Sequence, residues 1–420
     1  MAFNPQALSR LGASTGFVAR DRVVTAESLA VALLCALACQ RVETLADLHR
    51  TFQVMSGCRI AYKPFHNQLA KEQFPEFMRQ VLCHLVSSLA MRVLAPVQGG
   101  VLSQFKDIVI QDGSSLAVHK ALASDFPGRF TTVSPAAVEL HVTMSVFEDR
   151  PLRITMAPDK EGERQFLSSP QSLAGTLELA DRGYEDVGHC RDVAASGGSF
   201  IVRFKSSINP RITYINVLES DPLHLLQGRK YKDVRGQFSG RDIDLDVTFT
   251  KDRKPVPMRV VLTWNPQMKQ HMVLVTNLQR NTVPLATVRA LYRLRWQVEL
   301  LFKEWKSYAK LHRFATTKAP IAEGLLWAAI GAATLKRFFA HATQRVLGGA
   351  AISTRTTAMA ALDLIRDVIT HRHHGLRLRL ALLALVELLG HIACRASPKR
   401  ERARGRLAAG LEPLTQGTWR

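Results

Sequence analysis

FKDIVIQDGSS, residues 105–115, is a short apolar run that stops on Asp112 and turns at Gly113-Ser114. That is the pattern of a buried strand closed by turn residues. Downstream, VELHVTMSVFE (138–148) alternates in character, and PLRITMAP (151–158) follows a two-residue turn at Asp149-Arg150. Both read as further strands. The polar stretch 160–173 reads as a helix, and TLELADRGY (176–184) is another short strand that delivers an aspartate, Asp181, at its end. A helix over 184–195 and the strand FIVRFK (200–205) complete a β-β-β-α-β-α-β order. Such an order predicts an α/β fold, a mixed sheet flanked by helices.

Outside this core the pattern changes on both sides. Residues 1–100 read as helices, with 26–39 strongly apolar, 44–55 amphipathic and 63–97 continuing after a turn at Gly57. Arg50, Arg59, Lys63, His66 and Lys71 fit a helix-turn-helix that reads DNA ends, and fit a plain packed bundle equally. Residues 206–281 hold spaced strand candidates, RITYINV, DIDLDVTFT, MRVVLTWN and HMVLVTNL, which predict an antiparallel β insertion subdomain. The organisation expected is therefore a helical region (1–100), a first part of the core (101–205), the insertion (206–281), a second part of the core with one long helix (282–345), and a helical C-terminal region with a basic tail (346–420).

The chain has 420 residues and a net charge of +21, which favours a polyanionic partner, nucleic acid before any membrane surface. Its 47% hydrophobic content is ordinary for a folded protein. The most apolar run, 321–335, carries Glu323 and is too short and polar to span a bilayer, and the N-terminus lacks the order of a secretion signal. A cytoplasmic protein is expected. The six cysteines form no CxxC pair and read as buried free thiols. His141 and the cluster His371, His373 and His374 lack metal-ligand spacing and read as structural or surface residues.

The chemistry concentrates in VRALYRLRWQVELLFKEWKSYAKL, residues 288–311. At about 100° per residue, Tyr292, Arg295, Trp296, Glu299, Lys303, Lys306 and Lys310 share one helix face, and Leu294, Val298, Leu301, Trp305 and Tyr308 share the other. One carboxylate thus stands among cations and aromatics. A solvated face of small i,i+4 pairs is the plain reading. Aromatics interleaved with Arg and Lys suit bases and phosphates better.

Tyr292, Arg295, Glu299 and Lys306, spaced by two, three and six residues, resemble the signature of the DDE transposases of bacterial insertion sequences, in their insertion-sequence-four-like, hairpin-forming group. The resemblance runs from about Asp107 to Lys310. It implies a ribonuclease-H-like fold in which the second aspartate and the glutamate are separated by a β insertion. It also assigns Asp112, followed by Gly-Ser where the family commonly has Gly-Thr, and Asp181, followed by Arg-Gly-Tyr, as the two aspartates. Each aspartate taken alone also reads as an ordinary turn residue. Asp107, Glu178, Glu185 and Asp186 are poorer candidates by position.

The resemblance implies two Mg²⁺ ions, with Mn²⁺ able to substitute, held by Asp112, Asp181 and Glu299; Asp112 is the shared ligand. Three carboxylates suit hard divalent cations, and no Cys/His set suggests zinc. Tyr292, Arg295 and Lys306 are expected to grip the DNA backbone, and Trp296 to stack on a displaced base or to pack in the core. Arg203 and Lys205 are expected to line the same cleft. The expected substrates are double-stranded DNA, namely terminal inverted repeats and target DNA. A homodimer is expected on DNA, through the apolar helices 325–347 and 376–389. A catalytically decayed transposase acting as a DNA-binding repressor, and a structure-specific nuclease, are the alternative classes.

Overall fold

The computed structural model describes residues 4–18, 23–38, 42–94, 96, 98–130, 132–309, 316–347 and 375–393. Cys39, Lys310, the cluster His371, His373 and His374, Cys394 and the basic tail 397–406 lie outside these residues, as does the side chain of Tyr308. One mixed sheet organises the molecule. Its strands are β1 (Ile108–Ala117), β2 (Pro127–Phe130), β3 (Ser134–Ser145), β4 (Arg150–Pro158), β5 (Leu177–Ala180), β6 (Ser199–Phe204), β7 (Arg211–Ile215), β8 (Ile243–Lys251), β9 (Lys254–Asn265) and β10 (Gln270–Thr276). The order across the sheet is β2-β3-β1-β5-β6-β10-β9-β8-β7, with β4 also on β3. Only the β1–β5 and β5–β6 pairings are parallel.

The central strands bury both faces, so their sequences are continuously apolar. Ile108, Ile110, Leu177 and Leu179 point into one core, and Val109, Ala180 and Val202 into the other. The first core is closed by helices from both ends of the chain: α1 (Pro5–Ser14), α2 (Ala26–Ala38), α3 (Leu45–Ser56), α4 (Tyr62–Leu69), α5 (Phe74–Ser88) and, after α6 (Val187–Ala195) and α7 (Tyr231–Val234), α8 (Leu285–Arg293), α9 (Trp296–Ala309) and α10 (Ala319–Val346). Local signals start these helices. Thr25 and Ser28 exchange hydrogen bonds ahead of α2, Thr44 and Asp47 form a capping box on α3, and Gly57 closes α3 in the left-handed conformation at φ 70°. A last helix, α11 (Gly375–Ile392), packs on α10.

Helix α10 packs on α2, α5 and α9 of the same chain. Its Leu325–Leu335 stretch is buried there and is not available to a second copy, whereas Val346 on α10 and Leu380, Leu383 and Leu388 on α11 are exposed. Contact with α5 depends on Gly324, whose missing Cβ would lie 2.2 Å from Phe74 Cδ1. Gly324→Ala is therefore expected to destabilise the fold by about 1–3 kcal/mol through overpacking, read as a lower urea midpoint. An unchanged midpoint would show that the α5–α10 seam yields freely.

Several expectations are corrected. The stretch 160–173 is not a helix; Gly162 and Pro170 break it into two short 3₁₀ turns, Glu163–Phe166 and Pro170–Leu173. The expected helix 63–97 is interrupted between Leu69 and Phe74, where Pro75 restarts it as α5. The insertion strands are antiparallel as expected, yet they continue the central sheet, because β10 pairs with β6 and buries Val273, Leu274 and Val275. Cys35 and Cys190 are buried, whereas Cys58 is partly exposed and Cys83 exposed, since it lies on the outer side of α5. Among the described residues no helix is long and apolar enough to cross a membrane.

Candidate active site

The register of the parallel pair brings the two aspartates together. Gln111 stands opposite Ala180, so Asp112 and Asp181 are the next residue on each strand and leave the pairing side by side. Strand β1 does not end at Asp112, as its sequence suggests; it runs on to Ala117 along β3, with Asp112 opposite Val142. Only its pairing with β5 ends there. Carboxyl ends of parallel strands are where open α/β sheets present ligands, because the chain there turns away and leaves a crevice.

Glu299 comes from the opposite layer. The expected single helix 285–310 is broken between α8 and α9, where Leu294 and Arg295 bond back to Leu291 and Tyr292 in the tighter i−3 pattern. The break turns Arg295 inward. Its guanidinium donates from Nη1 to Asp112 Oδ2 at 2.6 Å and from Nη2 to Glu299 Oε1 at 2.7 Å. Tyr292, buried below the break, donates its hydroxyl to Asp181 Oδ1 at 3.3 Å, and Arg203 Nη1 reaches the same oxygen at 3.5 Å. Asp112, Asp181 and Glu299 thus meet around one planar cation and one phenol.

The remaining sequence candidates divide. Lys205 lies in the cleft and pairs with Glu185 at 3.1 Å. Trp296 is 48% exposed, with Lys303 Nζ 4.7 Å from its ring centroid, so it is not a core residue. Lys306 is exposed further along α9. Leu294, Val298, Leu301 and Trp305 are buried as the helical spacing predicts, but Tyr292 is buried with them. The acids set aside by position have structural tasks. Asp107 accepts from the Ile108 and Phe147 amides, Glu178 holds His189 at 3.0 Å, Glu185 accepts from Lys205, and Asp186 caps α6.

The site also contains residues that the sequence reading missed. His141 is neither a surface residue nor idle in the interior. It is buried, stacks on Phe166 with centroids 3.7 Å apart, and meets the Tyr184 hydroxyl through Nδ1 at 3.0 Å. Glu139 lies beside it and accepts from Arg129 Nη2 at 3.2 Å. The signal was the polar row Glu139, His141, Thr143, Ser145 on β3: alternation on an exposed-edge strand places such a row in water, whereas here the row is buried.

Electrostatics follow from burial. The Asp112 carboxyl is pushed up to about 7, first by burial and further by the carboxylates of Asp181 and Glu299, against the pull of Arg295. Burial and then the neighbouring Glu163 push Glu139 up to about 7. Burial, helped by Arg129, holds His141 down to about 4, so its imidazole is neutral. For Arg295, burial disfavours the charge, but Asp112 together with Tyr292, Asp181 and Glu299 outweighs it and raises the guanidinium above its ordinary value.

Asp112 and Asp181 border a polar cleft of about 700 Å³ that also contains Glu163, Gly183 and Lys205. Among the described residues no three His, Cys, Asp or Glu side chains converge closely enough to hold an ion as they stand, because the Arg295 fork lies between Asp112 and Glu299. The donor chemistry nevertheless fits a hard divalent cation: carboxylate oxygens only, one of them buried against other carboxylates, and a positive charge already drawn to their meeting point.

Residues 103–335, more than half of the chain, match the family described as transposase DDE domain. The transposase for insertion sequence element IS231C of Bacillus thuringiensis subsp. berliner is 22% identical over 351 residues, which cover 75% of this chain and 73% of that one. The transposase for insertion sequence element IS1151 of Clostridium perfringens is 21% identical over 278 residues, 58% of this chain and 59% of its own. A solved piggyBac transposase synaptic complex with hairpin DNA aligns over 94% of this chain and 83% of its own, at 11% identity and a TM-score of 0.46. With the matched segment enclosing Asp112, Asp181 and Glu299, the chain belongs to the DDE transposase family of insertion sequences.

Proposed function

We propose that this chain is a cut-and-paste transposase of the insertion-sequence-four-like group, with a ribonuclease-H-like core, and that Asp112, Asp181 and Glu299 are its catalytic acids. The observation that supports this most is the register: two aspartates leave neighbouring parallel strands at the same level and meet a glutamate brought in from α9 through Arg295. These acids would hold Mg²⁺, or Mn²⁺ in its place, which would supply activation of the attacking oxygen and stabilisation of the leaving oxygen of a phosphodiester. In this reading Asp112, between the other two acids, would contribute most to holding the ions, with Asp181 and Glu299 on either side.

Arg295 then has two roles in sequence. In the free protein its fork holds Asp112 and Glu299 against their mutual repulsion. On DNA it exchanges carboxylates for a backbone phosphate, for which a guanidinium is equally well shaped. Lys306 holds the same strand and Arg203 and Lys205 its continuation, Tyr292, buried, orients Asp181 beneath them, and Trp296, exposed and backed by Lys303, stacks on a base displaced as the hairpin forms. The substrates are the terminal inverted repeats and target DNA, bound by a homodimer in the cytoplasm at the nucleoid. Residues 1–100 add end recognition, and 206–281 extend the core beside the cleft.

Repeats taken from the DNA flanking the reading frame test this reading. Full-length protein is expected to retard them in a gel, to nick them in Mn²⁺ at the element boundary, and to bind about a thousandfold more weakly as salt rises from about 50 to about 200 mM, given the charge of +21. Binding without nicking identifies a repressor instead. Cleavage indifferent to the repeats identifies a structure-specific nuclease.

A further inference from the structure

We propose that Glu163 is a fourth carboxylate of this site, a positioning residue that orders the hydration shell of the cation carried by Asp112 and Asp181; the inference rests on the metal reading above. Glu163 opens the 3₁₀ turn between β4 and β5 and borders the same cleft as the two aspartates. Its carboxylate occupies the space that a side chain at Gly183 would fill. An added Cβ there would stand 1.1 Å from Glu163 Oε2 and 2.3 Å from its Cδ. Gly183 is not in a left-handed conformation, so its backbone does not require glycine. Glycine leaves room for this carboxylate in its present rotamer, two residues beyond Asp181.

The arrangement recurs after the other aspartate. An added Cβ on Gly113 would stand 2.9 Å from Glu139 Oε1. The two acids differ in what answers their charge. Glu139 accepts from Arg129, whose amide and Nε also bond to Asp159. Glu163 is half-buried and makes no hydrogen bond or ion pair among the described residues; Arg129 favours its charge only from beyond contact distance. A partly desolvated anion without a partner costs free energy unless a cation or its bound water completes it. A second observation lies beside the neighbouring acid, Glu139. His141 is 3% exposed, and its Nε2, 3.9 Å from Glu139 Oε2, has no hydrogen-bond partner. A buried polar atom left free beside carboxylates suits a water of the site. Asp112 and Asp181 already stand where the β1–β5 pairing ends, so Glu163, coming from a turn on the cleft wall, suits contact through such waters. Groups of this kind typically set about a tenfold or larger factor in ion affinity.

Mn²⁺ binding to the full chain, followed by the electron paramagnetic resonance of free Mn²⁺, tests this without reference to cleavage. Glu163→Gln is expected to weaken Mn²⁺ binding about tenfold with an unchanged melting temperature. Gly183→Ala is expected to do the same by displacing the carboxylate, and the double variant to be no weaker than either single one. Wild-type affinity in Glu163→Gln alongside a loss in Asp181→Asn overturns this inference alone, as do additive losses in the double variant. No uptake by the wild type, or full uptake by Asp181→Asn, overturns the metal reading beneath it.

Discussion

Asp112→Asn is expected to lower strand cleavage about a thousandfold or more, and to make the metal-free protein more stable at about pH 8. The first effect follows from position: Asp112 is the carboxylate nearest the meeting point of β1, β5 and α9, and an amide is a poor ligand for a hard cation. The second follows from its raised pKa. Its folded value, about 7, lies above the ordinary 3.8, so the folded state holds this proton more tightly than the unfolded chain does. Below about pH 4 both states carry the proton and the side chain costs nothing. Between about pH 4 and 7 the unfolded chain releases it first, so stability falls as pH rises, and above that window the full penalty applies. Asparagine never ionises and still accepts from Arg295. The variant should therefore gain about 4 kcal/mol at about pH 8, nothing at about pH 4, and bind repeats normally. Cleavage within tenfold of wild type would refute the site. A lower melting temperature than wild type in chelator at about pH 8 would refute the electrostatic account.

Much of this site could be read from the chain because its signals are local. An apolar run ending on aspartate marks a buried strand that opens at its end, and this holds for Asp181; at Asp112 only the pairing with β5 ends. Spacing of three and four residues brings Tyr292, Arg295 and Glu299 to one side, and it does so in the structure. What escaped the sequence depends on contacts between distant segments. The run 108–117 stays a strand past Asp112 only because β3 pairs with it. The break before α9 lets Tyr292 reach Asp181 while Arg295 reaches Asp112, a demand set by the sheet below and not by any proline or glycine in the segment. Glu139 and His141 look like the wet side of an edge strand until β1 and β4 flank β3 and the turn at Phe166 covers them. The strands of 206–281 were visible one by one. Their fusion to the core hangs on the β6–β10 pairing, which no local pattern announces.

Asp244→Ala is expected to cost about 3–5 kcal/mol, the usual result of stripping one member from a buried charge pair. Asp244 on β8 is 3% exposed and receives both arms of Arg259 from β9, at 2.9 and 2.7 Å. Arg259 Nη1 also donates to the carbonyls of Leu278 and Val283, and Arg280 reaches Asp244 at 3.0 Å. This cluster fastens the insertion strands to the segment that leads into α8, and so to Tyr292. Without Asp244, Arg259 keeps two carbonyls but no counter-charge, whereas Arg280 still has Asp246 at 2.8 Å. The Asp246→Ala variant is the control: that carboxylate is 43% exposed, and its loss should cost under about 1 kcal/mol. Acid should erase the larger difference. Burial alone would raise the Asp244 pKa, but the hydrogen bonds from Arg259 and Arg280 outweigh it and hold the group below its ordinary 3.8. Its contribution is therefore complete above about pH 4 and is lost as pH falls through the lowered value, so wild type and Asp244→Ala should converge in urea midpoint there. Equal midpoints for the Asp244 and Asp246 variants at neutral pH would show that the cluster does not anchor the insertion to the core.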